Sequence, residues 1–197
     1  MKRLAIAAVV LLCLAGTATA QRHVEYKWRG FYGVVDMSYG FNVNRSVGIN
    51  GVADSASVLG VSLGCGFQFS KETGVGLGVT YVADPSGAYT QMPLYVELRS
   101  HFTRGRITPY TAIQAGYSLA VGASSEPPSI EIVEGGLYFG LDAGARYAIS
   151  RDFAVGAHVG YKMLQSNKVK RTDAANVPFG LDPMTLHMVF IGVGLYF

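Results

Sequence analysis

The last stretch of the chain, residues 184–197, reads MTLHMVFIGVGLYF and alternates in character at every second position. Counted back from Phe197, one face carries Leu195, Val193, Ile191 and Val189. The opposite face carries Tyr196, Gly194, Gly192 and Phe190. A period of two is typical of a β-strand and not of a helix. The stretch therefore predicts a strand with one continuous apolar face and one face of mostly small residues.

Earlier segments show the same alternation. They lie at about 28–42, 58–69, 74–83, 92–102, 108–121, 136–149 and 153–163. The connections between them alternate between long and short along the whole chain. Short turns are expected at 70–73, 103–106 and 150–152, and long loops at 44–57, 84–91, 122–134 and 165–183. Eight strands with this rhythm predict an all-β fold, a transmembrane eight-stranded antiparallel up-and-down barrel with both ends on one side.

A soluble eight-stranded barrel, apolar inside and polar outside, is the main alternative. The composition favours the membrane arrangement, because 50% of residues are hydrophobic, 15% are charged and 25 are glycines. Large apolar residues occupy one face of each predicted strand, while glycine, alanine, serine and the charges occupy the other. Small residues suit a narrow interior, so we expect the apolar face to contact lipid.

The first 20 residues have the pattern of a secretory signal peptide. Lys2 and Arg3 precede an apolar run, and Ala18-Thr19-Ala20 forms a cleavage site before Gln21. A short membrane anchor is the alternative, but the run is far below the ~20 residues that a spanning helix needs. We therefore predict a signal peptide at 1–20 and a barrel domain at 21–197. Without Lys2 and Arg3 the formal charge of +3 becomes +1, which gives no indication of nucleic-acid binding.

Outward aromatic residues are distributed unequally between the two ends of the predicted strands. Tyrosines lie near the long loops, at Tyr39, Tyr81, Tyr117 and Tyr161. Phenylalanines lie near the short turns and the chain end, at Phe69, Phe102, Phe153 and Phe197. Two belts of this kind are typical of the two interfaces of a membrane.

With its GVGLYF ending, its PLYVELR and PYTAIQAGY stretches and its strand–turn rhythm, the chain resembles the small eight-stranded outer-membrane barrels of the OmpA-like and Bacteroidetes type. The resemblance implies a cell-envelope protein in the outer membrane of a Gram-negative bacterium, exported through the periplasm. It also implies that the insertion machinery reads the end of the last strand, at Val193, Leu195 and Phe197. Lipid and lipopolysaccharide are the expected surroundings, and we expect a monomer.

Charged and histidine residues occur at inward positions of the predicted strands. They are Asp36, Glu97, Arg99, His101, Asp142, Arg146, His158 and Lys162. Both signs are present, so these residues could form a salt-bridged plug or line a polar path. We favour a plug, because an interior of eight strands can be filled by side chains. If Arg151 is the centre of its turn, Asp142 lies diagonal to both His158 and Lys162, within reach of long side chains.

Sites for chemistry have little support in the sequence. Some small outer-membrane barrels modify lipid A with an outward His–Ser pair, but His187 and Ser100 are expected at opposite ends of their strands, too far apart to share a proton. The four histidines have no metal-binding spacing, and no cofactor is expected. The Gly-x-Gly runs lie inside strands and open no helix, so they predict inward glycines that relieve crowding and not phosphate loops.

The predicted loop at 165–183 contains a basic cluster, Lys168, Lys170 and Arg171. It could contact lipopolysaccharide or a host ligand, or it could be an ordinary solvated loop. Taken together, the sequence predicts a structural or interaction role for a barrel with a charge-plugged lumen and four external loops. A narrow porin-like channel is the alternative, and a lipid-modifying enzyme is the third possibility; we expect no enzyme activity.

Overall fold

The computed structural model describes residues 29–45, 57–70, 72–83, 85, 89–103, 105–123, 129–172 and 178–197. Eight strands occupy most of these ranges. They are β1 (Gly30–Arg45), β2 (Ser57–Gln68), β3 (Thr73–Ala83), β4 (Tyr89–His101), β5 (Ile107–Ala123), β6 (Ser129–Ala148), β7 (Ala154–Thr172) and β8 (Pro178–Tyr196). Each strand pairs antiparallel with the next, and β8 pairs with β1. The predicted all-β, eight-stranded antiparallel barrel is therefore confirmed.

The barrel closes where the two ends of the described chain meet. Gly33 and Phe197 exchange backbone hydrogen bonds, with N···O distances of 2.7 and 3.1 Å. Closure leaves no sheet edge, which a lipid environment requires because it offers no partners for backbone groups. No helix among the described residues is long and apolar enough to cross a membrane. The signal peptide predicted at 1–20 lies outside the described residues.

The predicted assignment of strand faces agrees with the observed burial. On β2, Leu59, Val61 and Leu63 are exposed on the outer surface, while Gly60 and Ser62 between them are buried. The same alternation runs along the other strands within the membrane-spanning part. The barrel thus presents an apolar band to its surroundings and directs its polar side chains inward.

The strands at the long-loop end extend further than the sequence predicted. β6 begins at Ser129, β7 continues to Thr172 and β8 begins at Pro178, so most of the segments predicted as loops at 122–134 and 165–183 are strand. That interpretation of these two segments was wrong. The extensions carry charges and several register shifts, which hide the period of two. Strand pairing tolerates this outside lipid, because it depends on backbone hydrogen bonds and not on an apolar face.

Inward glycines make room for the rings of the interior. A Cβ atom at Gly66 or Gly76 would lie 2.5 or 2.7 Å from the hydroxyl oxygen of Tyr32, and one at Gly78 would lie 2.5 Å from the ring of Tyr95. These distances are shorter than van der Waals contact. The prediction that the Gly-x-Gly runs relieve crowding inside the barrel agrees with this arrangement.

Candidate functional site: the barrel lumen

The inward charged side chains predicted from the sequence all lie buried inside the barrel. Asp36, Glu97, Arg99, His101, Asp142, Arg146, His158 and Lys162 are each less than 10% exposed. Six of them share a middle layer, which we call the charged layer: Asp36, Glu97, Arg99, Asp142, His158 and Lys162. His101 lies nearer the short turns, where its Nδ1 is 3.2 Å from Nε2 of Gln68.

Glu97 and Arg99 form the strongest ion pair in the charged layer. The Nε atom of Arg99 donates to Oε1 of Glu97 at 2.7 Å, and both side chains are 8% exposed. They lie two residues apart on β4 and therefore point to the same side of the sheet. Gln114 of β5 donates from Nε2 to Oε2 of Glu97 and to Oδ2 of Asp142, at 2.9 Å each. Removing Glu97 would leave a buried guanidinium without its carboxylate.

Aromatic rings surround the guanidinium group of Arg99. Its central carbon lies 4.9 Å from the ring centre of Tyr110, 5.1 Å from Tyr196 and 5.8 Å from Tyr32. The hydroxyl groups of Tyr110 and Tyr196 are 2.7 Å apart and hydrogen-bonded. Cation–π attraction is stronger where the cation is desolvated, so the rings stabilise the buried charge in addition to Glu97.

The predicted register around Asp142 is confirmed, although its expected partners differ. Asp142 pairs with Gly160, which places it diagonal to His158 and Lys162 as the turn centred on Arg151 predicts. However, Nδ1 of His158 lies 3.4 Å from Oδ2 of Asp36, and Nζ of Lys162 lies 4.6 Å above the ring of Phe190. The partner of Asp142 is Gln114 of β5. The side chains thus reach across the lumen, which a two-strand register does not describe.

Two apolar clusters enclose the charged layer. The long-loop cap consists of Val58, Val82, Tyr95, Tyr138, Leu164, Leu186, Met188 and Phe190. The short-turn cap consists of Val34, Tyr110, Ala148, Ala154 and Tyr196, with Tyr32 packed against it. The charged layer therefore lies between two groups of buried apolar and aromatic side chains.

The sequence analysis missed both caps. A signal was present in the last strand, because Leu186, Met188 and Phe190 are large and apolar at inward positions. Apolar residues on both faces indicate a strand that is buried on both sides. The remaining cap residues come from separate strands, so their meeting inside the barrel could not be recognised from one segment alone.

A small cavity remains inside the charged layer. It has a volume of about 40 Å³ and is bordered by Asp36, Arg99, Asp142 and His158, among others. One water needs about 10–15 Å³ measured in this way, so the cavity has room for roughly three waters. Such a space can hydrate the charged groups.

The family of the chain follows from its sequence as a whole. The family model described as "Outer membrane protein beta-barrel domain" matches residues 6–197. The chain belongs to this family. The resemblance predicted from the terminal strand and the strand–turn rhythm is thereby confirmed. The members are outer-membrane proteins, which supports an outer-membrane location for this one.

Two solved structures show the same architecture. The outer membrane protein OprG from Pseudomonas aeruginosa is similar with a TM-score of 0.57 and 14% identity, over 88% of this chain and 99% of that chain. Neisserial surface protein A (NspA) is similar with a TM-score of 0.53 and 15% identity, over 84% of this chain and 96% of that chain. At such identities the likeness shows the shared fold. No curated protein matches the chain in sequence.

Ser100 and His187, the two residues considered for lipid modification, lie far apart in the barrel. Ser100 is on β4, where it pairs with Thr73 and Thr111, whereas His187 is on β8, half-way around the ring of strands. His187 forms a hydrogen bond through Nδ1 with the hydroxyl group of Tyr161. Within the described ranges, no three histidine, cysteine, aspartate or glutamate side chains are grouped so that they could hold a metal ion.

The predicted basic cluster lies in strand and not in a loop. Lys168, Lys170 and Arg171 belong to the extension of β7, where they pair with Glu134, Glu131 and Ile130 of β6. The Nζ atom of Lys168 is 2.6 Å from Oε2 of Glu134. This carboxylate raises the pKa of Lys168, so the ammonium group keeps its charge at neutral pH.

Proposed function

We propose that this outer-membrane barrel has a structural and interaction role and that its lumen does not conduct ions. The observation that carries the proposal is the filled interior, in which two apolar caps enclose a charged layer with a cavity of about 40 Å³. An ion that crossed it would have to lose most of its hydration among apolar side chains, which costs many kcal/mol. The described strands then act as a rigid wall that supports the external loops.

A narrow porin-like channel is the alternative, and the charged layer is the feature that favours it. Its side chains carry both signs and come from four strands, as a selectivity region would. Conduction would require the side chains of both caps to move apart. A lipid-modifying enzyme is the third candidate; the separation of Ser100 and His187 on β4 and β8 argues against it.

An ion-flux assay distinguishes the first two candidates. The mature chain, refolded into liposomes loaded with potassium, should release potassium no faster than protein-free liposomes do. Slower migration of boiled protein on a gel would verify that the barrel had folded, and valinomycin would verify that the liposomes were intact. Rapid release from folded protein, without valinomycin, would support the channel and reject the closed barrel.

We further propose that residues 1–20 direct export, that the chain passes through the periplasm, and that the insertion machinery reads Val193, Leu195 and Phe197. These three side chains are exposed on the outer surface of the last strand, where another protein can contact them before insertion. Phe197→Ser should slow assembly in cells while leaving refolding in detergent unchanged. Equal assembly of both forms in cells would reject the signal.

The external face is the proposed site of interaction with lipopolysaccharide, through Lys168, Lys170 and Arg171. Replacing all three with serine should weaken binding of the refolded, monomeric barrel to lipopolysaccharide. Because Lys168 already pairs with Glu134, Glu134→Gln should strengthen binding slightly by releasing that ammonium group. Unchanged binding in both variants would remove this proposal.

A further inference from the structure

The last strand leaves room on its inner side at two glycines of the terminal GVGLYF sequence. Gly192 pairs with His158 of β7, whose imidazole ring a Cβ atom at Gly192 would overlap. Gly194 pairs with Asp36 of β1, and a Cβ atom there would lie 3.1 Å from Oδ2 of Asp36. The side chains of Asp36 and His158 therefore lie over the backbone of β8, in space that larger residues in that strand would occupy.

Asp36 and His158 meet across β8, the strand that closes the barrel. β1 and β7 are both neighbours of β8, so their backbones lie two strand spacings, roughly 10 Å, apart. Nδ1 of His158 nevertheless lies 3.4 Å from Oδ2 of Asp36, and both side chains are buried. The contact thus links the first strand to the seventh over the last.

The attraction between these two groups depends on charge. Oδ2 of Asp36 and Nδ1 of His158 have no hydrogen-bond partner among the described residues, and they do not form a hydrogen bond with each other. A neutral imidazole would therefore gain little from the carboxylate, whereas an imidazolium would be attracted to it strongly in surroundings of low dielectric constant. Imidazole is also the side chain whose charge ordinarily changes between pH 5 and pH 8.

We propose that Asp36 and His158 form an acid-dependent clamp across β8, in which the carboxylate pairs with the imidazole once acid has protonated it. An unfolded chain protonates the same imidazole in water without a penalty, so charging it inside the barrel would favour unfolding. The ion pair with Asp36 offsets that penalty and holds β1 and β7 together over the closing strand. The barrel should thereby stay closed in acidic surroundings, whether or not its lumen conducts ions.

Other titratable or charged residues border the cavity beside this pair. They are Tyr32 of β1, Cys65 of β2, Tyr95 and the Glu97–Arg99 ion pair of β4, Tyr110 of β5, Asp142 of β6, Lys162 of β7 and Tyr196 of β8. The phenols and the thiol carry no charge in acid. Lys162 opposes protonation of His158, but by less than Asp36 favours it. The clamp therefore depends on Asp36, since the carboxylate of Asp142 accepts from Gln114.

Urea unfolding of the refolded mature chain at pH 5 and pH 8 tests the clamp. Asp36→Asn should lower the urea midpoint at least twice as much at pH 5 as at pH 8, because at pH 5 it leaves a buried charge unpaired. In a His158→Gln background, Asp36→Asn should lower the midpoint by the same amount at both pH values. Asp142→Asn is the matched control, because it neutralises a carboxylate of the same layer whose hydrogen bond goes to Gln114, and its effect should not change with pH.

A measurement of the proton itself applies even if Asp36→Asn fails to fold. Nitrogen NMR of the unmodified barrel in detergent micelles, with isotope-labelled histidine, should show His158 as imidazolium at pH 5 and as neutral imidazole at pH 8. His158→Gln identifies the signal, and heat-modifiable gel mobility verifies folding of each variant. A neutral ring at pH 5, an effect of Asp36→Asn that is independent of pH, or the same acid effect without His158 would each overturn the proposal.

Discussion

The long-loop cap and the charged layer lie next to each other in the lumen but are packed in different ways. In the cap, Leu164, Leu186, Met188 and Phe190 are at most 1% exposed and contact one another directly. In the charged layer, Nη1 of Arg99 and Oδ1 of Asp142 have no hydrogen-bond partner among the described residues. The same holds for the hydroxyl of Tyr32, which packs against the short-turn cap. All three side chains border the cavity of about 40 Å³.

The difference indicates that the two regions have different roles in the barrel. Buried polar atoms require partners, and a cavity of this size can supply them as water. The cap leaves no comparable requirement, because its side chains are mostly apolar and the hydroxyl group of Tyr138 donates to Oε1 of Gln114. We infer that the cap closes the lumen, whereas the charged layer stabilises the barrel through ion pairs and water. Variants in each region should therefore affect different properties.

The largest effect on stability is expected in the charged layer. Glu97→Ala would leave the buried guanidinium of Arg99 without its carboxylate, at a cost of about 3–5 kcal/mol in the free energy of unfolding. Urea unfolding in detergent would measure it, with Glu97→Gln as the milder control that keeps an acceptor for Gln114. Ion flux should stay at background in both. Ion flux above background without a loss of stability would contradict the stabilising role inferred for the charged layer.

Phe190→Ala is the corresponding change in the cap. Truncation of a buried phenylalanine should cost roughly 3 kcal/mol, and it also removes the ring beneath the ammonium group of Lys162. Unlike Glu97→Ala, it should shorten the apolar part of the lumen that an ion would have to cross. Brief current events should then become detectable in a bilayer. Phe31→Ala is the control, because Phe31 lies on the outer surface. Similar currents from both variants would show that the cap does not close the lumen.

Two inward glycines, one beside the cap and one beside the cavity, differ in the room that they leave for a methyl group. Gly116 lies level with Tyr95 and Tyr138 of the cap, and a Cβ atom there would overlap the carbonyl oxygen of Leu94. Gly64 borders the cavity, and a Cβ atom there would lie 3.4 Å from the carbonyl oxygen of Leu77. Gly116→Ala should cost about 1–3 kcal/mol, and Gly64→Ala close to none. The melting temperatures of the two variants would test this order.

Asp142→Ala is expected to have a smaller effect than Glu97→Ala or Phe190→Ala. It removes an acceptor of Gln114, but Glu97 continues to accept from the same nitrogen atom. We expect a loss of about 1–2 kcal/mol and no change in conductance. Asp142→Asn, which keeps an acceptor oxygen, should lose less. A large rise in conductance with unchanged melting would instead make Asp142 part of a gate.

Local pattern was sufficient for the fold, because a period of two assigns each side chain to a face. The short turn around Arg151 also gave the register of β6 and β7, since a tight turn leaves few alternatives. The extensions beyond the membrane could not be predicted in the same way. Polar residues on both faces of β7 near Lys168 and Lys170 have no apolar period to detect.

The site was predictable as a set of residues but not as a set of contacts. The alternation predicted that Arg99 and Asp36 point inward, which the structure shows. The contacts of Arg99 with Tyr110 and Tyr196 depend on barrel closure and on the reach of each side chain across the lumen. No two-strand register contains that information. The cap could be recognised only in part, from the inward apolar residues of β8.

Single-channel recording of the unmodified mature chain in planar bilayers tests the closed lumen most directly. The account predicts that protein shown to be folded by heat-modifiable mobility inserts without discrete current steps, at neutral pH and in molar salt. Phe190→Ala, recorded in the same bilayers, would show that an open lumen is detectable. Regular conductance steps from the unmodified, folded barrel would contradict the account and make the charged layer a selectivity region.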